Sequence, residues 1–347
     1  MQIGQVARRF WSKLKSIGRT PVGDEPVVET VKPANATKVR KTRNWKSWRK
    51  IAAGVVAVII LFWPIMAMLT SRIDDDPNFT PQFDPKGGSH AVAMVAGLMD
   101  DELKKAGWVA NAPFFVPAHM LNNMPNYQIG MVTAFGRFAF ELEDQIGRER
   151  GSSASDPDLS IARARLQYSP TTWILKPGTL WPTASAESQY KEAVQALRRY
   201  NSRLAAGDAT FDTRPDNLLA ALDRIAYDLG SASAELEAQI TGRHKTLGLL
   251  DFKADKIFYR TKGRSYGYYM ILKALRADFE PVIDSRETTE LYDKMLDELR
   301  IAAVMQPLVV NNGTPGGQFF PNHLANQGFY ILRARAKLRE LTDILKK

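Results

Sequence analysis

The sequence predicts an all-α protein: a single N-terminal transmembrane helix followed by a large multi-helix soluble domain. Three observations carry this. Nineteen consecutive residues, Ile51–Leu69, bear no charge. At about 1.5 Å rise per residue they make roughly 28 Å of helix, close to the hydrocarbon thickness of a bilayer. Beyond that run, apolar residues recur at helical spacing in segment after segment. Sequence suited to strands is scarce: "TTWILKP" at 171–177 is the one short candidate, and it fits a helix as well.

Residues 1–50 read as a basic arm. Ile3, Val6, Phe10, Leu14 and Ile17 recur at helical spacing, with Arg8, Arg9, Lys13 and Lys15 between them. Such a helix lies on an anionic leaflet, with Phe10, Trp11 and Leu14 in the interface and the cations among the headgroups. Docking on a protein partner is the competing reading. Residues 18–42 mix Pro, Gly, Thr and charge without a period and form a flexible tether.

Residues 51–70 are the expected span. An apolar run that begins after fifty residues and exceeds the roughly 7–15 residues of a signal-peptide core reads as an uncleaved signal-anchor. Pro64 lies inside it, which spanning helices tolerate. Trp45, Trp48 and Trp63 suit the two interfaces. Charge sets the direction. The arm holds thirteen Lys/Arg against three Asp/Glu, a net of +10, which is the net charge of the whole chain (47 minus 37). Residues 51–347 therefore sum to zero. The positive-inside rule places the arm in the cytoplasm and residues 74–347 outside. The basic balance is thus a topology signal, and it argues against a nucleic-acid partner for the neutral domain.

The domain elements follow in order. Ser89 caps a helix running to about Lys105. Asn126 opens a long one through Arg150, carrying Ile129, Val132, Phe135, Phe138, Leu142 and Ile146. Further helices are expected over Ala186–Ala206, ended by Gly207; Asp216–Ile240; Lys256–Phe279, stopped before Pro281; Thr288–Met305; and Asn322–Leu345. "GSSASDPD" at 151–158 and "GDATFDTRPD" at 207–216 are turn-rich, and a subdomain break is possible near 207–216.

Candidate chemistry is sparse. There is no cysteine, which excludes disulfides and thiolate chemistry. His90, His119, His244 and His323 are never spaced i, i+4, and no metal site or cofactor is expected. Asp74, Asp75 and Asp76 read as a solvated flank rather than a hard-cation site. Arg137 and Glu141, and Asp144 and Arg148, are i, i+4 pairs on one helix face. Glu141 is the catalytic candidate, for a two-carboxylate attack on an envelope glycan. Residues 251–276 carry seven cations against two acids, with tyrosines interleaved. Lys256, Tyr259, Arg260, Lys262, Arg264 and Tyr266 would form a binding patch for an anionic glycan, lipid headgroup or acidic protein. The competing reading is neutralisation by residues 284–298, which hold six acids against two bases. Two amide-rich segments, 115–130 and 311–328, supply cleft candidates: Asn122, Asn123, Asn126, Asn311, Asn312, Asn322 and His323.

"GWVANAPFF", "LNNMPNYQIG", "RFAFELEDQIGRERGSS", "DNLLAALDRIAYDLGS" and "PNHLANQGFYILRARAKLRE" resemble the bacterial domain-of-unknown-function family 2333. The likeness covers most of the chain after the span. It implies a protein anchored in a proteobacterial inner membrane, with the C-terminal domain in the periplasm, and brings no reaction or catalytic residues. The expected function is a non-catalytic binding or scaffold module whose partners are the bilayer and another envelope protein or glycan. A glycan-acting hydrolase is the alternative.

Overall fold

In a computed structural model, the described residues are 45–70, 72–113, 116, 122–147, 155–175, 181–242, 252–313 and 321–347. The arm helix with Phe10, Trp11 and Leu14 lies outside them, as do His119, Arg148 and His244. The regular elements of the described residues are helices: α1 Trp45–Thr70, α2 His90–Asp101, α3 Asn123–Glu141, α4 Pro157–Leu166, α5 Ala186–Ala206, α6 Pro215–Thr241, α7 Phe252–Asp278, α8 Glu280–Ser285, α9 Thr289–Ala303 and α10 His323–Leu345. No strand forms among the described residues. Among the described residues of 171–177, Leu175 forms an isolated bridge to Pro182.

Helix α1 covers the expected span, but among the described residues no helix is long and apolar enough to cross a membrane. The side chains of Trp45, Ile59, Ile60, Trp63, Pro64 and residues 67–70 fall outside the description. Those that are described are open: Ile51, Val55, Val56, Val58, Leu61, Phe62 and Ile65 are all more than half exposed, as is Trp48.

Local chemistry sets the helix ends. The Ser89 hydroxyl accepts from the Val92 amide and caps α2, as Ser185 caps α5 and Asn322 caps α10. Gly207 takes φ +85° after α5, a left-handed turn that suits glycine. Both α2 and α3 widen into one π-turn at their ends, Glu102–Ala106 and Leu142–Ile146. Helix α4 was not expected. Asp156 caps it and Pro157 occupies its first turn, a start signal hidden in what reads as a turn. Helix α7 ends at Asp278, before Pro281 as expected, and Pro281 sits in the first turn of a short new helix, α8.

Residues 54–347 form one compact unit, and residues 1–53 fall to the other. The 207–216 turn stays within the larger unit: Tyr200 Oη donates to the Thr210 carbonyl, and Phe211 packs on Phe279 at 5.9 Å between ring centres. Helix α7 is central, touching α2, α3, α6, α9 and α10. Its residues 261–272 are all buried, although they include Thr, Lys, Arg, Ser and two glycines. Glycines make this possible. A Cβ on Gly263 would sit 1.9 Å from the Tyr127 carbonyl oxygen, and one on Gly130 would sit 2.0 Å from that of Arg260. So α3 and α7 cross backbone to backbone, and little apolar side-chain volume is needed between them.

Candidate functional site

The most built polar feature is the join between α7 and the acidic segment that follows α1. Residues Lys262, Tyr266 and Lys273 are spaced 4 and 7 apart and share one row of α7. Each reaches that segment. Lys262 Nζ lies 2.7 Å from Asp75 Oδ2. Tyr266 Oη donates to the Asp76 carbonyl at 2.9 Å, and Lys273 Nζ donates to the Pro77 carbonyl at 2.7 Å. From α3, Tyr127 Oη donates to the Asp74 carbonyl. Four side chains from two helices thus strap residues 74–77 onto the domain. Ile73 packs on the core just before them, and Gly97 of α2 leaves room for Phe79 and Pro81 just after.

Asp75 and Lys262 are both buried, Lys262 at 1 % exposure. Burial lowers the Lys262 pKa against the pull of Asp75. Two further bonds complete the pair: Lys262 Nζ donates to the Met305 carbonyl at 2.8 Å, and Gln306 Nε2 donates to Asp75 Oδ1 at 2.6 Å. The pair therefore clamps the strap to the segment after α9 as well. A charge taken this far from water persists only when paired and hydrogen-bonded.

Of the expected solvated acidic flank, the Asp74 and Asp76 side chains are exposed, whereas Asp75 is buried and the backbone is held; the expected cationic surface patch is largely core. Tyr259 and Tyr266 are buried rings. Arg264 is buried, its Nε 3.7 Å from Asp228 Oδ2, the oxygen that also accepts from Tyr268 Oη. Arg260 is half-buried and donates to Asn126 Oδ1 at 3.2 Å. Lys256 remains exposed. The acids of 284–298 neutralise one end of this helix, through Arg276 and Asp293. Asp75 and Asp228, from other parts of the chain, neutralise the middle.

The cleft candidates form two separate knots. Asn311 and His323 exchange two bonds, the Asn311 amide donating to His323 Nδ1 and the His323 amide to the Asn311 carbonyl, both at 2.9 Å. Accepting at Nδ1 requires a neutral ring with its proton on Nε2, and burial lowers the His323 pKa in the same sense. Asn322 Nδ2 donates to Asn312 Oδ1 and to the Gly313 carbonyl. The other knot is Asn122, whose carbonyl accepts from the Asn126 amide and from Asn126 Nδ2, with Arg260 beyond it. Asn123 is the first residue of α3. Asn126 meets α7 at Arg260, and Gln327 meets it at the Phe258 carbonyl. Residues two apart on a helix differ by about 200°, so Asn126 and Gln327 approach α7 from different sides, and the described residues of the two segments are not brought together there.

Glu141 is 6 % exposed and held by Arg224 of α6, Nε to Oε1 2.7 Å. Arg137, one turn earlier, is not its partner. The surface hollows are small and lie elsewhere. One of about 280 Å³ is lined by Asp100, Asp101, Lys104, Lys105 and Arg198, whose charges pair with one another.

Sequence reasoning missed Glu102. It is buried at the π-turn after α2, accepting from Gln128 Nε2 at 3.0 Å. Gln128 also donates to the Gly107 carbonyl and accepts from the Val109 and Ala110 amides. Burial pushes the Glu102 carboxyl up to about 7. In "MDDELKKAG" it looks like one more solvated acid at a helix end. The group locks the turn after α2 to α3 and faces none of the hollows described.

A family model described as an uncharacterized protein conserved in bacteria, DUF2333, matches residues 50–250 and 249–347. No curated protein and no solved structure matches the chain.

Proposed function

We propose that this chain, which belongs to the DUF2333 family of bacterial proteins, is a single-span, membrane-anchored helical module. Its domain faces the periplasm and binds another envelope component without turning it over. The observation that carries this is the strap. The chain leaving the apolar run of α1 is sewn within a few residues to the centre of the domain by a buried ion pair and three further side-chain bonds. Such a join transmits the position of the anchor to the domain, where a flexible tether would not. Two facts support the anchor. The described apolar side chains of α1 are exposed, and a bilayer removes the cost of leaving them in water, about 25 cal/mol per Å². The cations crowd the arm, while the rest of the chain is neutral.

The binding role is supported by the state of the candidate acids. Glu141 is closed off by Arg224, and Glu102 is sealed beneath Gln128. Photocrosslinking of the full chain in intact bacterial membranes tests the reading. Recovery of a discrete envelope component is expected. The opposite outcome is no partner, together with turnover of cell-wall fragments that is lost in Glu141→Gln but kept in Arg224→Gln. That result would establish an enzyme.

A further inference from the structure

The segment after α9 exposes two consecutive apolar side chains. Leu308 is 103 % exposed and Val309 59 %. A single exposed leucine on a protein surface needs no explanation. This pair is distinguished by where it is held. Met305 and Gln306, just before it, are fixed by Lys262 and Asp75, the buried pair of the strap. Ile73, two residues before Asp75, already packs on the core. Only three residues lie between Leu69, the end of the apolar run, and Ile73, a step of four positions. At most about 14 Å of chain fits in that interval. The tip at Leu308 and Val309 is therefore kept beside the point where the chain leaves α1.

A third apolar group adjoins it. Asn326 of α10 reaches the Met305 sulfur at 3.9 Å, and Phe329, one turn further along, is 53 % exposed with the Arg333 guanidinium, itself paired with Glu298, 5.4 Å over its ring. Arg72, exposed just after α1, adds a cation on the same approach. Apolar side chains with cations at their margin suit the boundary between acyl chains and phospholipid headgroups.

We propose that Leu308 and Val309 form a second membrane contact, seated in the headgroup region of the leaflet from which the domain emerges, with Phe329 at its edge. The proposal rests on the anchored reading above. With α1 it gives the domain two contacts with one bilayer, which fixes its tilt as well as its distance.

The chain has no cysteine, so single labels can be placed on the full-length protein in phospholipid vesicles containing anionic lipid. Leu308→Cys, Val58→Cys and Glu290→Cys each receive an environment-sensitive fluorophore. Glu290 lies at the far end of α9, about 20 Å of helix from the tip. Lipids bearing a nitroxide near the headgroup or deep in the acyl chain are then added. The expected result is loss of Leu308 emission with the shallow nitroxide, loss of Val58 emission with the deep one, and no loss at Glu290. Loss at Val58 with none at Leu308 overturns the second contact and leaves the anchor standing. A blue shift at Leu308 without quenching means a protein neighbour and also overturns it. Equal quenching at Glu290 means general adsorption and does the same. Quenching at Leu308 but not Val58 keeps the lipid contact and removes the anchor.

Discussion

Lys262 places an ammonium group in the middle of the domain, and its partner comes from a stretch of sequence 187 positions away. Removing one member leaves the other charged and buried, which costs about 3–5 kcal/mol, whereas replacing both can be nearly neutral. Lys262→Met and Asp75→Asn should each lower the denaturant midpoint strongly, and the double variant should recover most of the loss. Additive losses would mean that the two groups do not depend on each other. Glu102 gives a second expectation, in pH. Its carboxyl titrates at about 7 in the fold, against 4.5 for the free group. Below pH 4.5 both states hold the proton and the contribution is intact. Between pH 4.5 and 7 the unfolded chain ionises this acid while the fold keeps its proton, so stability falls by about 3 kcal/mol over that interval and levels off above it. Asp255, raised to about 6 by burial, acts in the same direction. Glu102→Gln should therefore shrink the decline between pH 4.5 and 7, and it should unfold at a higher temperature than the parent at pH 8. An unchanged pH profile would remove Glu102 from the account. Neither residue was legible as buried. Lysine and glutamate are solvated in most contexts, and only the chain's return over α7 and α3 brings their partners to them.

Helices were the most legible level. Their apolar periods and caps marked most of them to within a few residues, and Ser89, Gly207 and Asn322 mark ends that the structure keeps. Helix α4 was missed because its start signal, Asp156–Pro157, closes a stretch rich in Ser and Gly. Helix α7 was found, but its place was misread. Its charged and tyrosine-rich surface suggested exposure, yet it is the central element. The information lay in Gly263 and Gly267, one turn apart, facing Gly130 and Ala134 of α3, which are also one turn apart. Spacing alone does not say that two such helices meet. Gly263→Ala should cost at least about 3 kcal/mol, because its Cβ would meet the Tyr127 backbone rather than a side chain that can move. Gly328→Ala on α10 meets only Leu236 Cδ1 at 3.6 Å, and should gain about 0.5–1 kcal/mol from helix propensity. Thermal melting of the two variants distinguishes them by sign. Destabilisation at both sites would mean that glycine serves α10 as it serves the crossing.

For the whole molecule, charge is the feature most plainly written in the sequence, with all of the excess in residues 1–50 and none after them. The way residues 74–77 are held to the domain was not written there. The three aspartates after α1 looked like a solvated flank, whereas their backbone and one carboxylate are the means by which the domain grips the chain. The proposed anchor has a direct test. Protease is added to intact spheroplasts of bacteria carrying the full chain. The account predicts that the region after residue 76 is cut while the arm before residue 45 survives. A protected C-terminal region beside a degraded arm, or both protected until the cells are lysed, would contradict it.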